Sequence, residues 1–247
     1  MNAVDWKSRT ELLVGSEGLA KLQDAHVLVA GLGGVGGYAV EQLCRAGIGK
    51  LTMVDSDSVQ SSNRNRQIIA LKSTIHHKKT EVFRQRLLDI NPEIRLTVKS
   101  DYLLDASIDE LLTVNYDYLV DAIDTLTPKV QLLVKAKSKN LRIVSSMGAG
   151  GKFDPSMVEI ADISESHHCK FASVIRSYLR KFNIHEGINV VFSPETVSKS
   201  AIVETKDEKH KRSVVGTISY MPPVFGCFCA SVVIRDILGS YYKSAPQ

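Results

Sequence analysis

Cysteine is scarce in this sequence, and no Cys-x-x-Cys pair occurs. Four thiols are spread over 247 residues, with Cys44 and Cys169 isolated and Cys227 and Cys229 one residue apart. That inventory argues against a disulfide framework and cannot build a zinc ribbon, so no zinc is expected. Residues 1–9 are polar and charged and lack the apolar segment of a secretory signal, which points to the reducing cytoplasm. Long uncharged apolar runs are missing too. The stretch 222–238 contains Arg235 and Asp236, leaving only about a dozen uncharged residues where a bilayer needs roughly 20. It reads as a buried C-terminal helix, with no stable membrane insertion expected. Charge of one sign is nearly absent as a surplus. Lysine and arginine number 31 against 27 acids, a net +4 that permits a polyanionic partner without requiring one. Repeats and low-complexity tracts are also missing. What is present is the composition of an ordinary globular chain, 44% hydrophobic and 23% charged.

The first half alternates strand and helix signals. Residues 26–31 (HVLVAG) form a Val-rich apolar run followed by glycines, then an Ala/Leu-rich helical stretch over 35–45. Gly47-Ile48-Gly49 ends it, and 50–54 (KLTMV) gives a second strand closed by Asp55. This is a βαβ unit. A polar loop over 57–67 leads to a helix over 80–90, stopped by Asn91-Pro92. Strands follow at 95–98, 118–122 and 141–145, the last reached through a helix over 128–140. The expected fold is α/β: a Rossmann-like, mostly parallel sheet with helices on both faces. After Gly151 the rhythm changes to a smaller α+β part, with a helix over 172–182 and strands near 190–193, 201–204 and 214–220. The charged connector 206–212 separates the last two. The expected division is 1–150, a nucleotide-binding core with an N-terminal helix, and 151–247, a substrate-facing and dimerisation part packed on it.

Gly31-Leu32-Gly33-Gly34-Val35-Gly36 satisfies the dinucleotide fingerprint in the right context, after a strand and opening a helix. Its glycines let backbone N–H groups approach a phosphate, and the helix N-terminus adds partial positive charge. Asp55, about 20 residues on, can accept hydrogen bonds from ribose hydroxyls. To this point NAD, FAD and ATP fit equally. The next loop separates them, because Ser62-Asn63-Arg64-Asn65-Arg66-Gln67, followed by Lys79, concentrates cations and amides that a nicotinamide site has little use for. Arg66 and Lys79 facing the glycine turn would neutralise a triphosphate, and Asn63 could bond phosphate or ribose, which suits phosphoryl or nucleotidyl transfer. Asp124 ends Asp121-Ala122-Ile123-Asp124 at the carboxyl end of a strand and is a candidate Mg²⁺ ligand. Asp121 reads equally as a cap on the following turn. Cys169, after His167-His168, is the one candidate for a reactive thiol.

As a set, Gly31–Gly36, Asp55 through Asp57, Ser62-Asn63 with Asn65-Arg66-Gln67, Lys79 and Asp121–Asp124 resemble the ubiquitin-activating-enzyme-like superfamily that adenylates carboxylates. Asp121–Asp124, Met147-Gly148-Ala149-Gly150-Gly151 and Thr217-Ile218-Ser219-Tyr220-Met221-Pro222 are similar to one family within it, the tRNA threonylcarbamoyladenosine dehydratases. The resemblance implies ATP as substrate, with Gly31, Gly33, Gly34, Gly36, Asp55, Asp57 and Asn63 binding the nucleotide. It implies that Arg66 and Lys79 hold phosphates, that Asp124 holds Mg²⁺, and that Arg9, in Ser8-Arg9-Thr10, reaches the ATP of a partner subunit. The implied reaction is ATP-dependent cyclisation of threonylcarbamoyladenosine beside the tRNA anticodon through an acyl adenylate. The alternative is adenylation of the C-terminal carboxylate of a ubiquitin-like sulfur carrier. Implied partners are tRNA carrying threonylcarbamoyladenosine and a second copy of the chain, with room for sulfur-transfer proteins and a monovalent cation. For RNA contact the basic groups are Arg176, Arg180, Lys181 and the connector's Lys206, Lys209, Lys211 and Arg212, with Phe171 or Tyr220 able to stack a base.

Overall fold

A computed structural model describes residues 6–204 and 213–239. The chain begins with α1 (Ser8–Asp24), bent at Gly15, then β1 (His26–Ala30), α2 (Gly36–Ala46) and β2 (Lys50–Val54). α3 (Lys79–Ile90), β3 (Arg95–Lys99), α4 (Asp105–Leu111), β4 (Tyr118–Asp121), α5 (Leu126–Ser138) and β5 (Ile143–Ser146) complete the first half. Next come β6 (Glu159–Asp162), α6 (Lys170–Arg180), β7 (Asn189–Phe192), a hairpin of β8 (Ile202–Glu204) and β9 (Ser213–Val215), and α7 (Met221–Leu238).

Seven strands form one sheet in the order β3-β2-β1-β4-β5-β7-β6. All neighbours are parallel except β6, which runs antiparallel to β7 at the edge. The sheet is parallel because each crossover is long enough to carry a helix. Both faces are covered. Along β1, Val27 and Val29 join one core with α1, α2, α3 and α7, while Leu28 and Ala30 join a second with α4, α5 and α6. Uninterrupted apolar strands are the signature of such doubly covered sheets.

The α/β expectation agrees with this architecture, and every expected strand of the first half is present. Two elements escaped the sequence. β6 (EIAD) is a half-buried edge strand, too short and too charged to stand out, and α4 is only seven residues long. Of the strand anticipated over 214–220 only the start is present, since β9 ends at Val215, beyond which Gly216 N–H makes one more bond across to Ala201 O. Segments 1–150 and 151–247 share the sheet, because β7 and β6 continue it beyond β5 and α7 returns to pack along α2. α7 is long and apolar enough to cross a membrane by composition, and Phe225, Cys229 and Val233 on it lie in the protein core.

Candidate functional site

The glycine turn between β1 and α2 is packed so tightly that side chains are excluded. Gly31 adopts φ +88°, and a Cβ there would lie 2.7 Å from Ala122 O. A Cβ on Gly36 would run into Gly31 O. The turn therefore presents bare backbone at the carboxyl end of β1, where open α/β sheets bind ligands. The same contacts tie it to the segment after β4 that carries Asp124.

Asp55 braces the turn from the other side. Leu32 N–H donates to its Oδ2 at 2.7 Å, and Asp57 N–H donates to Oδ1 at 2.8 Å. Burial pushes the Asp55 carboxyl above the usual carboxylate range, against the pull of the nearby Lys79 ammonium and these N–H donors. Lys79, buried in the first turn of α3, lies 2.7 Å from Asp57 and 3.6 Å from Asp55. A cation and two acids thus adjoin Leu32 in the middle of the fingerprint. Arg66 reaches the turn independently: a Cβ on Gly34 would stand 3.3 Å from Arg66 Cγ and 2.9 Å from Pro222 Cβ. The Arg66 guanidinium donates to Ser62 O and Asn65 Oδ1. Asn65 in turn donates to Thr217 O at 2.9 Å. Asn63 caps its own turn by accepting from Gln60 N–H.

Lys79, Asp55 and Asp57 therefore adjoin the glycine turn at Leu32 and Arg66 adjoins it at Gly34, and Asp124, exposed, follows the Ala122-Ile123 segment that abuts it. Asp121 takes the capping part anticipated as one of its two readings, accepting from Ile123 N–H. Its other oxygen pairs with Lys129, and Ser145 Oγ donates to it at 2.6 Å. The sequence reading missed Lys129, whose position in a helical pattern carried no sign of full burial. Gln67, beside Arg66 in the sequence, has no role that its residue type alone reveals. It is buried beside Gly33, and its side-chain carbonyl has no hydrogen-bond partner among the described residues. Also missed was a cavity of about 440 Å³ at the carboxyl ends of β2 and β3, lined by Val54, Lys99, Tyr102, Leu103, Ser107 and Glu110. It adjoins Asp55, whose N–H donates to Lys99 O.

Other candidates lie elsewhere. Arg9 is exposed in the first turn of α1. Arg176 is not a surface cation for phosphate: its guanidinium is committed to Ser166 and to Ile163 O, which fold the loop before α6. Arg180 and Lys181 are exposed, and the connector 206–212 lies outside the described residues. Cys44 and Cys229 have thiols that burial pushes up to about 12, and Cys169 is buried. Among the described residues no three His, Cys, Asp or Glu side chains cluster to hold a metal ion.

A doubly wound sheet with bare glycine backbone, a bracing acid and two converging cations defines a nucleotide-binding protein of the adenylating class. The chain belongs to the ThiF family, whose model matches residues 8–246. It is 35% identical to the tRNA threonylcarbamoyladenosine dehydratase of Bacillus subtilis over 238 residues, 94% of each chain. The crystal structure of Escherichia coli tRNA N6-threonylcarbamoyladenosine dehydratase in complex with ATP superposes with TM-score 0.88 at 30% identity, covering 98% of this chain and 97% of that one. The sulfur carrier protein ThiS adenylyltransferase of E. coli is 41% identical, but over 90 residues, 36% of each chain.

Proposed function

We propose that this protein is an ATP-dependent tRNA threonylcarbamoyladenosine dehydratase. The observation that carries the reading is the convergence of Arg66 and the Lys79–Asp55–Asp57 cluster on the glycine turn, within a chain that matches named dehydratases along nearly its whole length.

A carboxylate resists attack because it is negatively charged and its oxygen leaves badly. Here a carboxylate oxygen of the substrate's threonyl group attacks the α-phosphorus of ATP, and the bond to pyrophosphate breaks. The resulting acyl adenylate then meets the neighbouring carbamoyl group, which attacks the acyl carbon, closes a five-membered ring and expels AMP. The nucleoside loses one water in total. Ring closure is intramolecular, and such reactions reach effective molarities on the order of 10⁵ M. No enzyme nucleophile is needed, in keeping with the burial of Cys44, Cys169 and Cys229.

The backbone of Gly31, Gly33, Gly34 and Gly36 receives the phosphates at the N-terminus of α2, with Arg66 and Lys79 neutralising them and the Asn63 amide hydrogen-bonding to phosphate or ribose. Asp55 takes the ribose, and the cavity behind it, lined by Tyr102 and Leu103, takes the base. Asp124 suits Mg²⁺, since that ion favours one or two carboxylates with phosphate oxygens and retained waters, and Asp121 is already engaged by Lys129. When bound, Mg²⁺ would offset charge on the phosphates. Arg9 completes the site across a homodimer, a reading supported by exposed Leu12 and Leu13 on the same helix. Free thiols throughout fit a reducing cytoplasm. Sulfur-carrier adenylation is disfavoured because the similarity to the ThiS enzyme spans only about a third of the chain.

The test is to incubate the protein with ATP and threonylcarbamoylated tRNA and follow the modified nucleoside by mass spectrometry. Loss of one water with stoichiometric AMP is expected. AMP formation that depends on a small carrier protein rather than on tRNA would select the alternative.

A further inference from the structure

The acyl-adenylate step fixes one end of the substrate. Its carboxylate must reach the phosphate over Gly31–Gly36, so the nucleobase and its neighbours rest at the rim. Two aromatic rings face solvent there. Phe153 is 68% exposed and Tyr220 is 37% exposed. Their centroids are 6.0 Å apart with planes inclined by 72°, and Tyr220 Oη donates to Phe153 O at 2.9 Å.

Both rings are anchored to the site. Tyr220 precedes Met221 and Pro222, and Pro222 packs against Gly34. Phe153 N–H and Asp154 N–H donate to the Glu195 carboxylate at 3.0 and 3.1 Å. Buried Lys152 donates to Ser193 O at 3.0 Å and to Glu195 O. Gly151 N–H donates to Gly216 O at 2.8 Å, and the Thr217 carbonyl next along accepts from Asn65 beside Arg66. The rings are thus exposed yet held, so little freedom is lost when something settles on them. Two exposed cations lie on segments hydrogen-bonded to the same framework: Arg64, adjoining the Asn65 that donates to Thr217 O, and Lys199, in the turn whose Ala201 O accepts from Gly216 N–H.

We propose that Phe153 and Tyr220 form a platform on which unpaired bases of the RNA loop around the modified adenosine stack, with Arg64 and Lys199 taking flanking phosphates. Single-stranded RNA is recognised by aromatic stacking combined with backbone neutralisation, and both occur here beside the catalytic turn. A second copy of this chain is the rival occupant. The exposed cations on that framework and the covalent continuity of Tyr220 with the segment over Gly34 favour RNA. This inference rests on the dehydratase reading and names where its substrate sits.

The test compares Phe153→Leu and Phe153→Trp with the wild type. Leucine keeps apolar bulk without a ring face, whereas tryptophan keeps the face. With saturating ATP, Phe153→Leu is expected to raise KM for threonylcarbamoylated tRNA about tenfold, leaving kcat and KM for ATP within about twofold. Phe153→Trp restores KM. Arg64→Ala and Lys199→Ala each lower the salt dependence of tRNA binding, by about 0.7 in the logarithmic slope. Unchanged KM in Phe153→Leu overturns the platform, as does a shift of that variant's sedimentation coefficient to that of a smaller assembly, which would assign the rings to a contact between copies. Fluorescence anisotropy with an unmodified anticodon stem-loop is measured in parallel. If the wild type forms no AMP, the dehydratase reading fails, while equal stem-loop affinity for wild type and Phe153→Leu would separately reject the platform.

Discussion

Lys129 Nζ stands 2.6 Å from Asp121 Oδ2, and neither side chain is reached by solvent. Lys129 also donates to Ile123 O at 3.0 Å, and Asp121 accepts from Ile123 N–H, so one buried pair grips both polar groups of a single residue in the loop that carries Asp124. Charges removed from water are tolerated only where each finds its partner. Lys129→Met leaves the Asp121 carboxylate buried without a counter-charge and is expected to cost about 3–5 kcal/mol of stability, read by urea unfolding. Adding Asp121→Asn should recover part of that loss. A single variant as stable as the wild type would show that the pair does not hold the loop.

In the proposed mechanism Arg66 acts on charge that develops during transfer rather than on the fold. Its aliphatic stem lies over Gly34, and its guanidinium rests on Ser62 and Asn65 at the loop surface. Arg66→Ala is expected to lower kcat for AMP formation by about 10²–10³ with the melting temperature nearly unchanged. Full turnover in the variant would remove Arg66 from the chemistry.

The thiols should be dispensable. Cys169 is the one sequence candidate for a reactive group, and ring closure within the substrate needs none. Cys169→Ala is expected to keep kcat within about threefold, since the intramolecular route already supplies the attacking group. Trapping a covalent adduct on Cys169 during turnover would contradict the mechanism.

Glu41 gives a pH signature unrelated to the site. Burial raises its carboxyl, but hydrogen bonds from Arg86 at 2.6 Å and from Arg45 outweigh burial, and the net effect holds it below its ordinary value of 4.5. The unfolded chain therefore binds this proton more tightly than the native one. The pair's contribution is complete above pH 4.5 and disappears as pH falls through the lowered native value. Glu41→Gln should lose roughly 1.5–3 kcal/mol at pH 7, and its gap from the wild type should narrow at pH 3 in urea titrations. A gap of equal size at both pH values would be inconsistent with this assignment.

Local chemistry determined the turn, the strands of the first half and the residue types beside the glycine turn, because each is encoded within a few neighbouring positions. Glycines mark where backbone must be bare, and apolar runs mark strands buried on both sides. Asp55, Arg66 and Lys79 were legible as candidates because charged groups that closely follow a fingerprint suit a ribose and phosphates. Burial of Lys129, commitment of Arg176 to backbone carbonyls and the meeting of Phe153 with Tyr220 were decided by tertiary structure alone. Each joins segments far apart in the chain, and a side chain's charge or ring does not reveal whether packing will turn it toward a partner or toward water.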